Sequence, residues 1–266
     1  MFLLSGSDFP NNEASLIAAI GNGLRPLGLN PERVSTEGAF PSLAALRCEI
    51  SGAVFLREHR AAKAVGELKP GFFARRVEVA CRSAQFEGLA FAGSLSLDDA
   101  IFAFGRDAAS NPVLALEKCA SGALELAVER SEFEKLVHSL ASKAAEEHGA
   151  EVKSVTVSWE QSGPRALSMR LVARAKAMFM ETSVTALGRV EVTDSLDVII
   201  AGLSCSGDGM VGNLAASFLR KEIPKYEGRS ISLAGAFGGG LRLRDVALQC
   251  EQDSLRVKAS ALPVGT

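Results

Sequence analysis

The sequence contains few of the residues that build polar recognition sites: one tryptophan, one tyrosine and three histidines among 266 residues. Its five cysteines are an odd number, lie far apart and form no C-x-x-C pair, which argues against a disulfide framework and a zinc site. His59, His138 and His148 have no metal-like spacing, and we expect them at solvent-facing positions or helix ends. No G-x-S-x-G elbow supports nucleophilic catalysis. These absences favour a protein that is not an enzyme and that holds no metal or cofactor.

Long apolar runs and an excess of basic charge are also missing. No stretch approaches the ~20 apolar residues that span a bilayer. The apolar start, 1–4, lacks a basic region and soon reaches Asp8, so we expect neither a signal peptide nor an anchor. A net charge of −2 gives no basic field that would attract nucleic acid. The prediction is therefore a cytoplasmic protein with at most a peripheral contact to a membrane.

The sequence does contain apolar material for a large interior. Hydrophobic residues make up 47% of the chain, and the mean hydropathy of +0.17 comes from aliphatic residues and 14 phenylalanines. No linker separates two halves, and β-rich domains of this length commonly remain single. We therefore predict one α+β domain over 13–261, preceded by a loose N-terminus (1–12) and followed by a C-terminal tail (262–266).

Three segments have the apolar spacing of amphipathic helices. A short helix is predicted over 13–22, and two longer helices are predicted over about 131–148 and 209–223. The first of the longer pair begins at a capping-box pattern, in which Ser131 accepts from the third helical amide and Glu134 reaches back. Nothing between the two longer helices looks like a catalytic constellation.

The remaining chain alternates apolar and polar residues, which is the period of half-buried strands. The clearest run extends from Leu167 through Leu171 to Phe179, with arginines and a lysine among the intervening residues. A strand of that length is typical of a strongly curved or barrel-like sheet. Glu87-Gly88 interrupts an earlier run and predicts a turn or a bulge. The pattern predicts a meander of strands that shares one interior with the helices.

One motif has two interpretations. Residues Gly207 to Gly212 read G-x-G-x-x-G, a pattern that brings backbone amides against a pyrophosphate in dinucleotide-binding proteins. The glycines, however, begin four residues after Leu203 rather than at the end of the strand, and the next strand ends without a ribose-binding acid. We favour a glycine-rich strand-to-helix turn capped by Asp208, and keep a nucleotide-binding enzyme as the less favoured alternative.

The order of elements in the second half of the chain points to a family. A strand over 122–128 leads into the capped helix, an alternating meander follows, and the helix over 209–223 stops at Pro224. Closing strands cover 241–248 and 254–259. This order resembles the tubular lipid-binding (TULIP) superfamily, and within it the LmeA-like bacterial lipid-binding proteins. The resemblance implies a highly curved antiparallel sheet wrapped around long amphipathic helices, an elongated barrel that encloses a tube for acyl chains.

The function implied by the resemblance is non-catalytic binding or carriage of a lipid, a phospholipid or a similar acyl-chain ligand, in an apolar tube. Side-chain parity and helix face give the candidate lining residues, which are Phe133, Leu136, Leu140, Leu171, Phe179, Val198, Leu214 and Phe218. The candidate contacts for headgroups or an anionic membrane are Arg220, Lys221, Lys225 and Arg229. The plain alternatives for these two sets are core packing and a solvated helix end. The rival function is a structural or interaction module of the same fold with a filled core.

Overall fold

The structure, a computed structural model, describes residues 1–56, 64–146, 149–177, 180–232 and 241–263. The helices within these ranges are α1 (Glu13–Gly23), α2 (Arg130–Glu146) and α3 (Gly209–Glu222), and 3₁₀ turns cover Arg25–Leu27, Pro31–Arg33 and Ile223–Lys225. The strands are β1 (Phe2–Leu3), β2 (Val34–Ala39), β3 (Ser42–Glu49), β4 (Val54–Phe55), β5 (Val65–Phe86), β6 (Leu89–Arg106), β7 (Pro112–Lys118), β8 (Ser121–Glu129), β9 (Ala150–Gly163), β10 (Ala166–Ala177), β11 (Met180–Val192), β12 (Asp197–Gly207), β13 (Ser230–Ser232), β14 (Leu241–Cys250) and β15 (Ser254–Pro263). The fold is α+β and consists mostly of strands.

The helices lie where the sequence predicts them, but they are shorter than the resemblance implies. In α1 the Asn12 side chain accepts from Ser15 N at 2.9 Å, and Ser15 Oγ accepts from Asn12 N at 3.1 Å, which is a complete capping box. α2 has 17 residues and α3 has 14, lengths of about 26 and 21 Å. The longest elements are instead β5 and β6, with 22 and 18 residues. The expectation of a sheet wrapped around long amphipathic helices is therefore wrong.

The chain forms two compact units. Unit 1 comprises Met1–Ala127, Ala234–Asp245 and Val257–Thr266, and unit 2 comprises Val128–Leu233 and Val246–Arg256. Each unit thus consists of segments that are distant in the sequence. The chain thus passes between the units repeatedly. The single domain predicted from the sequence over 13–261 stays a prediction.

Unit 1 contains most of a ten-stranded sheet with the order β14-β15-β8-β6-β5-β3-β2, in which β7 pairs with β6 and β1, and β4 pairs with β5. β5 and β6 form a long hairpin that turns at Glu87 and Gly88, both with positive φ, 52° and 85°. Two consecutive positive φ angles are typical of a type I′ hairpin turn, so the predicted turn is confirmed. β3 and β4 pair with β5 in parallel, a departure from the expected antiparallel sheet.

Phenylalanines form much of the core of unit 1. Phe72 and Phe102 are opposite each other in β5 and β6, and their rings stack with centroids 4.7 Å apart. Phe104 lies 6.2 Å from Phe72 and also stacks on Phe9 at 5.5 Å. Stacked ring pairs contribute about 0.5–1.5 kcal/mol beyond the burial of their area. The Phe-rich composition is therefore used for packing in this unit.

The first residues of the chain, expected to be loose, are held by backbone hydrogen bonds. β1 pairs antiparallel with β7. Leu4 N donates to Pro112 O at 2.9 Å, and Ser5 N donates to Ala19 O at 3.0 Å. The Leu4 side chain is buried. The apolar start of the sequence is therefore a strand partner and part of the core over residues 2–5, and the expectation of a loose segment stays a prediction for 6–12.

Unit 2 is built on a five-stranded sheet with the order β13-β12-β11-β10-β9, in which neighbouring strands are antiparallel. α2 packs on β9, and α3 packs on β12 and β11. Among the described residues neither sheet of the protein closes, because the strands at the two ends of each order are not paired. The elongated barrel implied by the resemblance is therefore not seen. In the same ranges, no helix combines the length and the apolar character needed to cross a bilayer.

Candidate functional site

The sheet of unit 2 has one apolar and one polar side, which the strand registers identify because residues opposite each other share a side. The apolar face, as we call it, consists of the rows Val155–Ala173–Val184–Gly207, Val157–Leu171–Ala186–Cys205, Trp159–Met169–Gly188, Gln161–Leu167–Val190–Ile200 and Val192–Val198. The other side is represented by the row Ser158–Arg170–Leu187–Ser204. The alternation of apolar and polar residues in the sequence thus gives this sheet one apolar side and one polar side.

Both helices of unit 2 contact the apolar face. α2 brings Phe133 against Trp159 in an edge-to-face arrangement, with ring centroids 6.4 Å apart. α3 lies on β12, where the Cys205 thiol is 3.1 Å from Ala216 O. The strand between these two contact regions is β10, so Leu171 lies at the middle of the face.

Most of the apolar face is only partly covered. Val157 and Leu167 are buried, whereas Leu171, Ala173 and Val184 are half-buried. In a close-packed core such side chains are usually buried completely. The middle of the face therefore presents a strip of apolar surface between the two helices.

Trp159, the one tryptophan of the chain, connects three parts of unit 2. Besides its contact with Phe133, its ring centroid is 5.7 Å from the Arg130 guanidinium. Its Nε1 donates to Glu251 O at 3.0 Å, and Arg130 N donates to Asp253 O at 2.8 Å. These contacts fix the start of α2 next to β9 and the turn that joins β14 to β15.

Glu134 was expected to complete a capping box with Ser131, and that prediction is wrong. α2 begins one residue earlier, at Arg130, and Glu134 Oε1 accepts from Val157 N at 2.8 Å. β9 is the last strand of its sheet, so every second amide along it faces outward. Glu134 binds one of these amides and thereby holds α2 along the edge of β9.

The glycine motif before α3 allows a close approach of helix and strand. A Cβ on Gly207 would overlap the Gly212 carbonyl and lie 2.8 Å from Asn213 N, and a Cβ on Gly212 would lie 2.9 Å from Ser183 O. These are backbone atoms, so a side chain at either position would displace the helix. The predicted strand-to-helix turn is confirmed, and its glycines have a packing role.

Asp208 occupies the N-cap position of α3 but does not cap the helix. Its carboxylate accepts instead from Ser183 Oγ, and its backbone N donates to Ser183 O at 2.9 Å. The predicted capping by Asp208 is therefore wrong. The strand that precedes α3 is antiparallel to its neighbours, whereas dinucleotide sites of the G-x-G-x-x-G type occur in parallel βαβ units.

Some predicted lining residues lie where a ligand on the apolar face would meet them. Leu171 and Val198 are half-buried on the face itself. Phe133 and Leu136 are half-buried on α2. Phe179 lies outside the described residues. The structure thus brings Phe133 and Leu171 to one side of the sheet of unit 2.

Three other predicted lining residues are exposed. Leu140 on α2 and Leu214 and Phe218 on α3 expose 61%, 58% and 50% of their surface. The physical reason on α3 is that its buried side carries the small residues Gly212 and Ala216, which let the helix approach the sheet. The large apolar residues are then directed away from it, and this exposure does not fit the lining of an enclosed tube.

The predicted basic group, Arg220, Lys221, Lys225 and Arg229, is exposed at and after the end of α3. Arg220 Nε donates to Cys205 O at 3.0 Å, which places this guanidinium beside the apolar face. Lys225 Nζ contacts Glu222 Oε2 at 2.6 Å, and this hydrogen bond raises the pKa of Lys225. Arg220 therefore lies beside the apolar face, whereas Lys225 is paired with the carboxylate of Glu222.

Two cavities of unit 2 have volumes in the range of ligand pockets. One of about 730 Å³ combines the charged residues Arg170 and Arg189 with Trp159, Met169 and Leu187. One of about 510 Å³ has Arg174 and Glu181 among its lining residues, a composition that suits polar groups.

Unit 1 has a cavity that sequence reasoning missed. It measures about 330 Å³, and Leu68, Phe73, Ile101 and Phe102 are among its lining residues. The signal in the sequence was two pairs of adjacent apolar residues, at 72–73 and 101–102. Adjacent residues of a strand point to opposite sides of the sheet, so each pair places an apolar side chain on both sides. Only the register of β5 and β6 shows that these pairs meet.

The titratable groups of the described residues include cysteine thiols with shifted pKa values. Burial raises the pKa of the Cys48 thiol to about 11, and it also raises the pKa of Cys81 and Cys119. Thiols with raised pKa values are poor nucleophiles at neutral pH. Across the described ranges no three histidine, cysteine or carboxylate side chains gather as a metal site would require, and His59 and His148 lie outside those ranges.

Comparison with known proteins gives little further guidance. No protein-family model and no curated protein matches the chain. Among solved structures, the crystal structure of lipopolysaccharide binding protein matches with a TM-score of 0.30 and 9% sequence identity, over 78% of this chain and 87% of that chain. A TM-score of 0.30 does not establish a shared fold. The family resemblance found in the sequence therefore stays a prediction.

Proposed function

We propose that the protein is a non-catalytic lipid-binding protein that holds an acyl chain along the apolar face of unit 2. The observation that carries the proposal is the half-buried strip on this face, which includes Leu171, Ala173 and Val184. The resemblance to LmeA-like bacterial proteins gives a phospholipid as the ligand class. Binding or carriage of this ligand, without catalysis, is the role we propose.

An acyl chain binds an apolar surface without a specific polar partner. Each CH₂ removed from water contributes about 0.8 kcal/mol. Ten methylenes on the strip would contribute roughly 8 kcal/mol, from which the entropic cost of association is subtracted. The two central rows of the face favour this mode because, between β9 and β11, they consist of valine, alanine and leucine side chains.

The basic group supports an anionic headgroup at one end of the strip. Arg220 is anchored to the backbone of Cys205, a residue of the apolar face. A cation near an anionic lipid surface contributes about 1 kcal/mol. An acyl chain on the strip would therefore have a cation on the side where α3 lies, and we propose an anionic phospholipid as the ligand.

Native mass spectrometry of the protein purified without detergent tests the proposal. Leu171→Gln places a polar group in the middle of the strip, and Val172→Gln is the matched control. Val172 is the next residue of β10 and is also half-buried, but it points to the polar side of the sheet. We expect lipid on the wild type and on the control, and loss of most of it from Leu171→Gln.

Two results would contradict the proposal. One is a wild type that carries no lipid and takes up no fluorescent fatty acid, which would favour the structural module with a filled core. The other is equal lipid on the Leu171 and Val172 variants, with thermal melts showing that both are folded. A shift of the melting temperature by NAD(H) would instead support the nucleotide-binding alternative at Gly207–Gly212.

A further inference from the structure

α3 presents a line of large apolar side chains to solvent. Met210, Leu214 and Phe218, which we call the α3 stripe, are spaced four residues apart and therefore lie on one side of the helix. Met210 is the most exposed of the three, with 84% of its surface accessible, and the other two expose at least half. Contiguous exposed apolar residues of this kind mark interaction surfaces.

The direction of the α3 stripe is fixed by the opposite side of the helix. That side carries Gly212 and Ala216, both buried. At Gly212 the helix approaches β11 so closely that a Cβ would lie 2.9 Å from Ser183 O. Rotating α3 to bury the stripe would bring larger residues to this contact, where they do not fit. The close backbone contact at Gly212 therefore directs the α3 stripe away from the sheet.

Cations and an exposed tyrosine continue the surface beyond the α3 stripe. Lys221 follows Phe218 by three residues, and its Nζ is 5.4 Å from the centroid of that ring. Arg229 lies 5.8 Å from the ring of Tyr226, which is 47% exposed. Lysine stems and tyrosine rings pack on apolar groups while their polar ends reach water, as they do at a membrane interface.

The acidic residues of the same region are engaged elsewhere. Glu222 is paired with Lys225. Glu227 accepts from Gly202 N and Leu203 N, at 2.8 and 2.9 Å, through its two carboxylate oxygens. Both carboxylates thus have partners in the fold. The same region holds four cations, Arg220, Lys221, Lys225 and Arg229, against these two carboxylates, so the net charge that this end of α3 offers to a partner is positive.

We infer that α3 docks the protein on the surface of an anionic lipid bilayer, with the α3 stripe at the acyl boundary and Lys221 and Arg229 among the headgroups. An apolar helix side bordered by cations is typical of helices that lie in a membrane interface. The inference goes beyond the proposed function, because the acyl chain of that proposal lies on the apolar face of the sheet.

A second copy of the chain is a weaker candidate for the occupant. Three side chains in one line cover on the order of a few hundred Å². A stable dimer buries about 800 Å² on each partner, which is more than the stripe supplies. An anionic surface, in addition, complements the positive charge at the end of α3.

Co-sedimentation of the full chain with vesicles tests the inference. The vesicles contain phosphatidylcholine alone or with roughly one third phosphatidylserine, an anionic lipid. Met210→Gln combined with Leu214→Gln removes two side chains of the stripe while keeping residues of good helix propensity. Leu140→Gln is the control, since Leu140 is equally exposed but lies on α2. We expect the double variant to bind anionic vesicles at least roughly tenfold more weakly, and the control to bind like the wild type.

The charge contribution has its own matched pair. Lys221→Gln should weaken binding to anionic vesicles severalfold, whereas Lys143→Gln, at an exposed position near the end of α2, should leave it unchanged. Raising the salt concentration should weaken binding of the wild type, since the contacts are solvent-exposed.

The inference is overturned if the wild type does not bind anionic vesicles, or if the double variant and Leu140→Gln lose binding equally. It is also overturned if light scattering shows a dimer that Leu214→Gln dissociates while vesicles are not bound, which would identify a second copy as the occupant. Failure of the proposed function is separate: it appears as absence of lipid in native mass spectrometry, whatever the vesicle result.

Discussion

Replacing Gly207 with alanine tests how α3 is held on its sheet. A Cβ at this position would overlap the Gly212 carbonyl and lie 2.8 Å from Asn213 N, and both groups belong to the backbone of α3. No rotamer change can relieve such a contact, so the helix must move. Overpacking of this kind costs about 1–3 kcal/mol. Because the obstructing atoms are backbone atoms, we expect the upper end, a loss of ~3 kcal/mol in the free energy of unfolding.

The fluorescence of Trp159 during urea unfolding provides the measurement, because the one tryptophan lies in unit 2 with α3. The control is Gly163→Ala in β9, where the nearest atom to the new Cβ would be Ala166 Cβ at 3.8 Å, an ordinary contact. We expect that control within about 0.5 kcal/mol of the wild type. In a thermal melt, a loss of ~3 kcal/mol corresponds to roughly 6–12 °C. Equal unfolding free energies for the two variants would refute the reasoning.

Three further predictions concern single contacts. Glu134→Ala removes the acceptor of Val157 N and should cost about 1–3 kcal/mol by urea unfolding, while Glu134→Gln, which keeps an oxygen, should recover part of it. Burial raises the pKa of Cys48 from 9.0 to about 11, so the stability that its protonated thiol contributes is complete below pH 9 and is lost as the pH rises towards 11. Cys48→Ala should therefore flatten the dependence of the melting temperature on pH between pH 9 and 11. An unchanged slope in this variant would contradict the prediction. Phe102→Ala removes a ring stacked on Phe72 and should cost about 3–5 kcal/mol by circular dichroism melts, with a loss under 1 kcal/mol as the contrary result.

Elements with strong local signals were predictable from the sequence. The helices expected over 13–22, 131–148 and 209–223 are found within two residues at each end. Period-3.6 spacing and a strand-to-helix turn at the glycine motif suffice for this, because they depend on neighbours in the chain. The apolar side of β10 was also predictable, since alternation along one strand determines which residues share a side.

The exposed direction of α3 could not be predicted from the same pattern. Amphipathic spacing identifies the apolar side of a helix, and the usual interpretation directs its largest residues inward. Here close backbone approach is the stronger requirement, and Gly212 meets it where Leu214 could not. The parallel pairing of β3 and β4 with β5 was hidden for another reason, since pairing between distant strands leaves no local pattern.

The contact of Glu134 with β9 has a consequence for how molecules of this protein behave towards one another. An edge strand with free amides can pair with a strand of a second molecule, and repeated pairing of this kind leads to fibres. A carboxylate on the Val157 amide, brought by a helix that lies along the edge, occupies one such position with a charged group. The side chain that positions α2 thus also takes one of the edge amides with which a strand of a second molecule could pair.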